Sequence, residues 1–259
     1  MKCILRGLLA AAVLAVPATA AAQKKPSDIP LEDFFKRAQY SQMVLSPNGT
    51  KLAALTPLKG RDNLVVVDLE KRTSTVITNF EKLDAAGIFW VNNTRLCLRV
   101  VNGQEVTGEP NYRGLYCIDA NGEALENFTE VGGVGGQRGV EPVSPVYDES
   151  GDYIMAMRQR SRYSSDLYRF NTHTGRYQIL TSDSPGDVVA WVLDRNLVPR
   201  IAISTPEREF GQRGKGVPVT TTVWHRAGAD ARWEKLWQFR SPWTDDDVYY
   251  PVAFDFDNE

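Results

Sequence analysis

The 259-residue sequence lacks the residues that several functional classes need. Three Cys and two His are too few for a dense disulfide framework or a zinc cluster, and no H-E-x-x-H or paired C-x-x-C pattern occurs. A formal charge of −2 is not that of a general nucleic-acid binder. Because 42% of the residues are hydrophobic, the chain can still bury a sizeable core, and we expect a folded protein with no metal and no cofactor.

A hydrophobic run of membrane-spanning length is also missing. The run at 8–16 has nine residues, whereas a transmembrane helix needs ~20. It follows Lys2 and Arg6, and Pro17 and a series of small residues come after it, which is the order of a secretory signal peptide. We therefore predict a signal peptide over 1–22, cleaved near Ala22, and a periplasmic or secreted protein; the alternative is a buried N-terminal helix.

Short strands separated by turn residues fill the chain from 41 to 259, after a lead-in at 23–40. Within the lead-in, Pro30 and the charge order of 31–37 predict one short helix. Beyond it, apolar and β-branched runs alternate with Gly, Asn, Asp and Pro, which predicts strands and hairpin turns. The predicted strands are 43–45, 51–55, 64–67, 75–77, 88–91, 96–98, 115–118, 125–128, 143–147, 153–157, 167–170, 177–180, 188–192, 198–203, 220–224, 233–239 and 250–256.

These strands recur in groups of four. The first turn of each group falls at Gly49, Asn93, Gly151, Asn196 and Asn258, so the spacings are 44, 58, 45 and 62 residues. A repeat of ~40–50 residues with four strands is typical of a β-propeller blade. We predict an all-β fold, a partial propeller of about four antiparallel blades plus one strand, and we expect the 259 residues to be part of a longer protein. The alternatives are a β-sandwich and a smaller ring that the N-terminal segment completes.

Cys97 and Cys117 form a candidate disulfide. If the hairpin between them is centred on Thr107, the two cysteines lie opposite each other on adjacent antiparallel strands. An oxidising compartment permits the bond. The alternative is a pair of buried free thiols.

Few other residues indicate a site. Arg158, Arg160 and Arg162 alternate in a basic stretch, which predicts either a contact for a substrate carboxylate or acidic partner, or an ordinary charged loop. His173 and His225 are predicted to be exposed turn residues without a catalytic role, since no partner motif accompanies either.

Three further patterns are weak. The glycine-rich stretch 132–139 fails the phosphate-loop register and is predicted to be a loop between blades. The acidic run 245–247 is predicted to be a solvated loop rather than a cation site. Asn48, Asn92 and Asn127 stand in N-x-T patterns, which matter only in a glycosylating host.

The stretches IPLEDFFKR at 29–37 and MVLSPNGTKLA at 43–53 resemble the start of secreted bacterial serine peptidases of the prolyl oligopeptidase family, nearest to the acylaminoacyl-peptidase and dipeptidyl-peptidase-like branches. The resemblance implies an N-terminal propeller followed by an α/β-hydrolase domain with a Ser-Asp-His triad. No G-x-S-x-G occurs here, so no catalytic residue is assigned and the hydrolase domain is absent from these residues.

Two functions follow from these observations. The resemblance implies the non-catalytic propeller region of such a peptidase, which would gate the access of short peptides to the hydrolase domain. The alternative is a standalone periplasmic propeller that acts as a protein-binding scaffold. Neither predicts a nucleic-acid partner or a membrane span, and the oligomeric state is left open.

Overall fold

Turn-forming residues divide the chain into short strands, and a computed structural model of the protein defines their pairing. It describes residues 30–34, 36, 38–102, 112–128, 140–146, 148, 150–161, 163–212, 215, 217–241 and 251–257. The chain divides into two units, 1–37 and 38–259. Within the described ranges, no helix has the length and apolar character that a bilayer crossing requires.

The described part of the first unit contains one helical turn, α1 (Leu31–Phe34). The sequence predicted a helix over 31–37, and the observed one is shorter, since Lys36 is not helical. A single turn gains few hydrogen bonds for the dihedral angles that it fixes, so such a helix ends early. The predicted signal peptide at 1–22 lies outside the described residues.

The described part of the second unit forms four antiparallel sheets, and the four strands of each sheet pair in chain order. The first sheet contains β1 (Ser41–Leu45), β2 (Lys51–Leu58), β3 (Arg61–Asp68) and β4 (Thr73–Val76). The second contains β5 (Asp84–Trp90), β6 (Arg95–Val101), β7 (Tyr112–Asp119) and β8 (Glu126–Asn127). The third contains β9 (Glu141–Pro145), β10 (Asp152–Met157), β11 (Asp166–Asn171) and β12 (Tyr177–Ile179). The fourth contains β13 (Val188–Leu193), β14 (Pro199–Ser204), β15 (Val219–His225) and β16 (Glu234–Ser241).

The predicted fold class is confirmed: these sheets are the blades of a partial β-propeller. Each of the first sixteen predicted strands overlaps an observed one. The prediction of a strand at 250–256 is wrong for the described residues 251–257, which form no strand. Pro251 cannot donate to a ladder. Phe254 and Phe256 instead lie against the guanidinium groups of Arg200 and Arg195, respectively.

A second short helix, α2 (Glu207–Phe210), lies between β14 and β15 and was not predicted. Pro206 precedes its first residue, a placement that the fixed φ of proline favours. The carboxylate of Glu209 accepts a hydrogen bond from the Thr220 amide at 2.6 Å, which ties this turn to the start of β15. That bond holds the pKa of Glu209 below its ordinary value.

Buried cores lie between the first and second sheets and between the second and third. One core joins Ala53 and Leu64 of the first sheet to Leu96 and Leu98 of the second. Another joins the opposite face of the second sheet to the third. Since the second sheet buries both faces, its strands must be apolar on both sides, which explains why its apolar runs do not alternate with polar residues.

One turn chemistry recurs where the first and second strands of each sheet meet. The side-chain oxygen of an Asx residue accepts the backbone N–H two residues later, at 2.9–3.1 Å. The four acceptors, one in each sheet, are Asn48, Asn92, Asp148 and Asp194. Such Asx turns reverse the chain tightly, so the repeat seen in the sequence has a local structural cause.

Candidate functional site

The cysteine pair lies at the centre of the second sheet. The register of β6 and β7 places Cys97 opposite Cys117, with their Cα atoms 4.0 Å apart, and the structure joins the two sulfurs. Both residues are fully buried in the core shared with the third sheet, together with Met155 and Phe170. Thr107, on which the predicted hairpin is centred, lies outside the described residues.

Arg95 is the first residue of β6 and stands three residues after the Asx-turn residue Asn92. Its side chain is the largest fully buried one among the described residues. Its Nη1 donates to Asp119 Oδ1 at 2.7 Å and to the Ala124 carbonyl at 3.2 Å. Its Nε and Nη2 reach across to the third sheet and donate to Thr172 Oγ1 at 3.1 Å and to the Thr172 carbonyl at 2.5 Å. Sequence reasoning missed this residue. The signal available was an arginine at the start of a mostly apolar strand, β6, which also contains Arg99.

Arg160 is engaged within the chain. Its Nε and Nη2 bind the two oxygens of Asp166 at 2.6 and 2.5 Å, a bidentate pair that raises the pKa of the guanidinium. The same group donates to the carbonyls of Thr181 and Ser182 and so ties the β10–β11 loop to the segment after β12. Among the described residues no hydrogen bond or ion pair engages the Arg158 side chain, and Arg162 lies outside them.

A polar depression lies on the third sheet. It is open to solvent and is lined by Asp152, Arg169, Asn171, Thr174, Arg176, Tyr177 and Gln178. Arg169 pairs with Asp152 at 2.5 Å and with Asp148 at 3.1 Å, and Asn171 donates to Asp152 at 2.7 Å. The hydrogen bond to Asp152 raises the pKa of Arg169, and a bond from the Ser150 hydroxyl lowers that of Asp148. In this arrangement Arg169 is paired with two carboxylates, whereas no ion pair engages Arg176 among the described residues.

The two histidines differ in their surroundings. His173 is exposed in the β11–β12 turn, as predicted. His225, at the end of β15, is half-buried, and its Nε2 lies 3.4 Å from Nη2 of Arg200. Burial, and then the positive charge of Arg200, lower the pKa of His225. The prediction of an exposed turn residue is therefore wrong for His225, since its ring shares space with that arginine.

Two of the N-x-T patterns belong to the Asx turns. Asn48 Oδ1 accepts from both the amide and the hydroxyl of Thr50, and Asn92 Oδ1 does the same with Thr94. The spacing of Asn and Thr is therefore explained by turn geometry. Asn127 lies in β8, where its Nδ2 donates to the Tyr116 hydroxyl at 3.1 Å.

No group of three or more His, Cys, Asp or Glu in the described part of the chain is placed to hold a metal ion. The glycine-rich stretch 132–139 and the acidic run 245–247 lie outside the described residues.

The chain was compared with family models, curated proteins and solved structures. No protein-family model and no curated protein matches the chain. Among solved structures, it is similar to TolB from Acinetobacter baumannii, with 16% identity, a TM-score of 0.41 and coverage of 76% of this chain and 43% of TolB. It is also similar to puromycin hydrolase, with 14% identity, a TM-score of 0.36 and coverage of 64% and 25%. It is similar, too, to a chain of the nidogen–laminin complex, with 12% identity, a TM-score of 0.35 and coverage of 82% of this chain and 66% of that chain. At these values the likenesses assign neither a family nor a function.

Proposed function

We propose that this chain is the non-catalytic propeller region of a secreted serine peptidase of the prolyl oligopeptidase family. The observation that carries the proposal is the series of four consecutive four-stranded sheets. The stretches 29–37, before the first sheet, and 43–53, within it, resemble in sequence the start of those peptidases. The propeller would admit short peptides to a hydrolase domain and exclude folded proteins.

Selection by size needs a rigid wall, and three features of the blades supply rigidity. Asx turns fix the first hairpin of every sheet. Arg160 ties a loop of the third sheet to its neighbouring segment. Arg95 links the second sheet to the third. In this proposal Arg160 holds the wall together, and Arg158 meets a substrate carboxylate or an acidic partner.

The first test is enzymatic. We expect the purified 259-residue chain to release no p-nitroaniline from aminoacyl or dipeptidyl substrates, because it contains no nucleophile elbow. Turnover that a serine-directed inhibitor abolishes would contradict the proposal. Reading the genomic DNA beyond codon 259 gives the second test: an open frame with G-x-S-x-G and later Asp and His is expected.

We also propose that the chain is exported to the periplasm or the medium after cleavage near Ala22. The support is the charged, apolar and small-residue order of 1–22. N-terminal sequencing of the protein recovered from the periplasm should begin at or near Gln23. A retained Met1 would refute export by this route.

The alternative is a standalone periplasmic propeller that acts as a protein-binding scaffold. The observation that favours it is the solvent-open polar surface of the third sheet, which offers charged and hydrogen-bonding groups to a partner. A stop codon directly after Glu259, together with a folded and monodisperse product, would support the scaffold over the peptidase region.

A further inference from the structure

Two rungs of the β6–β7 ladder face the third sheet together. The register pairs Arg95 with Asp119 and Cys97 with Cys117. Residues two apart on a strand point to the same side, so the ion pair and the disulfide share one face of the second sheet. The rung between them, Leu96 with Ile118, belongs to the core on the opposite face.

Both rungs reach into the third sheet. The sulfurs lie in its apolar core, and the Arg95 guanidinium holds the carbonyl and the hydroxyl of Thr172. Thr172 is fully buried, and its amide and hydroxyl both donate to the Gly151 carbonyl, at 3.0 and 2.6 Å. One guanidinium of the second sheet therefore holds two turns of the third.

The first sheet provides an internal reference. Its rungs Lys51–Asp68 and Ala53–Val66 occupy the equivalent positions, because Lys51 and Arg95 each stand three residues after an Asx-turn asparagine. There Lys51 makes one long contact with the next sheet, from Nζ to the Asn93 carbonyl at 3.4 Å. The second sheet thus differs from the first by a cross-link and a buried guanidinium at the same two rungs.

We propose that the disulfide and Arg95 act as one redox-dependent clamp between the second and third sheets. The covalent bond fixes the separation of β6 and β7, and this positions the guanidinium on one strand and its Asp119 partner on the other. Arg95 is thus a positioning residue for the turns of the third sheet. The clamp closes only in the oxidised chain, and export, proposed above, determines only where that oxidation takes place.

Reduction opens the clamp in a balanced step. A dithiol such as dithiothreitol gives two electrons and two protons, the Sγ–Sγ bond breaks, two cysteine thiols form, and the dithiol closes to its cyclic disulfide. Because both cysteines are fully buried, the reductant reaches the bond only when the hairpin opens locally.

Hydrogen exchange of the purified chain tests the clamp. Two amides are followed, Thr172 bonded to Gly151 in the third sheet and Ile77 bonded to Leu64 in the first. Reduction should speed exchange at Thr172 by at least about tenfold and at Ile77 by less than about twofold. Equal acceleration at both sites, or none at Thr172, would overturn the proposal, as would two alkylatable thiols in the untreated exported protein.

Two variants keep the test decisive. Cys97→Ala with Cys117→Val copies the Ala53–Val66 rung of the first sheet, so it should pack without a cross-link. Its Thr172 amide should exchange as fast as in the reduced chain, and dithiothreitol should not change that rate. In Arg95→Met, exchange at Thr172 should already be fast when oxidised, and reduction should add less than about twofold. Additive effects of the two changes would contradict a single clamp.

Discussion

Two regions differ in how fully their buried polar groups are hydrogen-bonded: the boundary between the second and third sheets, and the fourth sheet. At the boundary, the guanidinium of Arg95 has four hydrogen bonds to Asp119, Ala124 and Thr172. Of the described residues, those with a buried side-chain polar atom that lacks a partner all lie in or beside the fourth sheet. They are Thr205, Thr221, Trp233 and Trp237. An unsatisfied buried group costs about 1–3 kcal/mol, so the fourth sheet should open before the second.

The largest expected effect is at the boundary between the second and third sheets, where the buried guanidinium has four hydrogen bonds. Arg95→Ala should lower the free energy of unfolding of the oxidised chain by about 3 kcal/mol, because it leaves a cavity and strips the Thr172 carbonyl of its donor. Urea denaturation followed by tryptophan fluorescence measures it. Lys51→Ala, at the equivalent rung of the first sheet, should cost less than about 0.5 kcal/mol. Equal losses would remove the distinction between the two boundaries.

A smaller effect of opposite sign is expected in the fourth sheet. Thr221→Val should raise the free energy of unfolding by about 1 kcal/mol, because it replaces a buried hydroxyl that has no partner by a methyl group. Thr181→Val is the matched control. That hydroxyl donates to Asp166 and accepts the Leu167 amide, so the same exchange should destabilise the chain by about 1–3 kcal/mol. A loss of stability in Thr221→Val would show that its hydroxyl is satisfied in solution.

The smallest effect is a pH dependence at His225. Its pKa is lowered in the folded chain, so the unfolded chain takes up a proton first as the pH falls. Stability should therefore drop as the pH falls from the ordinary histidine pKa of about 6.5 towards the lower folded value. His225→Gln should flatten this part of the curve. Identical curves for wild type and His225→Gln would contradict the assignment.

The strand pattern was predictable because its cause is local. Asn48, Asn92, Asp148 and Asp194 each reverse the chain through a contact two residues away. A short sequence window contains all the residues of such a turn. The position of Cys97 opposite Cys117 was predictable in another way, from the equal distance of both cysteines in the sequence from the centre of the predicted hairpin.

Contacts between sheets could not be predicted in this way. Arg95 and Thr172 are 77 residues apart, and only the packing of two sheets brings them together. The bidentate pair of Arg160 with Asp166 spans six residues, but it depends on the path of a loop. In the segment 251–257, Phe254 and Phe256 contact Arg200 and Arg195, and alternation alone does not reveal such contacts.

Residue-resolved hydrogen exchange of the oxidised chain tests the central claim, that stability is graded from the second sheet to the fourth. Amides of β6, β7 and β11 should exchange only through the rarest opening, and those of β15 and β16 through a more frequent one. Equal or greater protection of the fourth sheet would contradict the account.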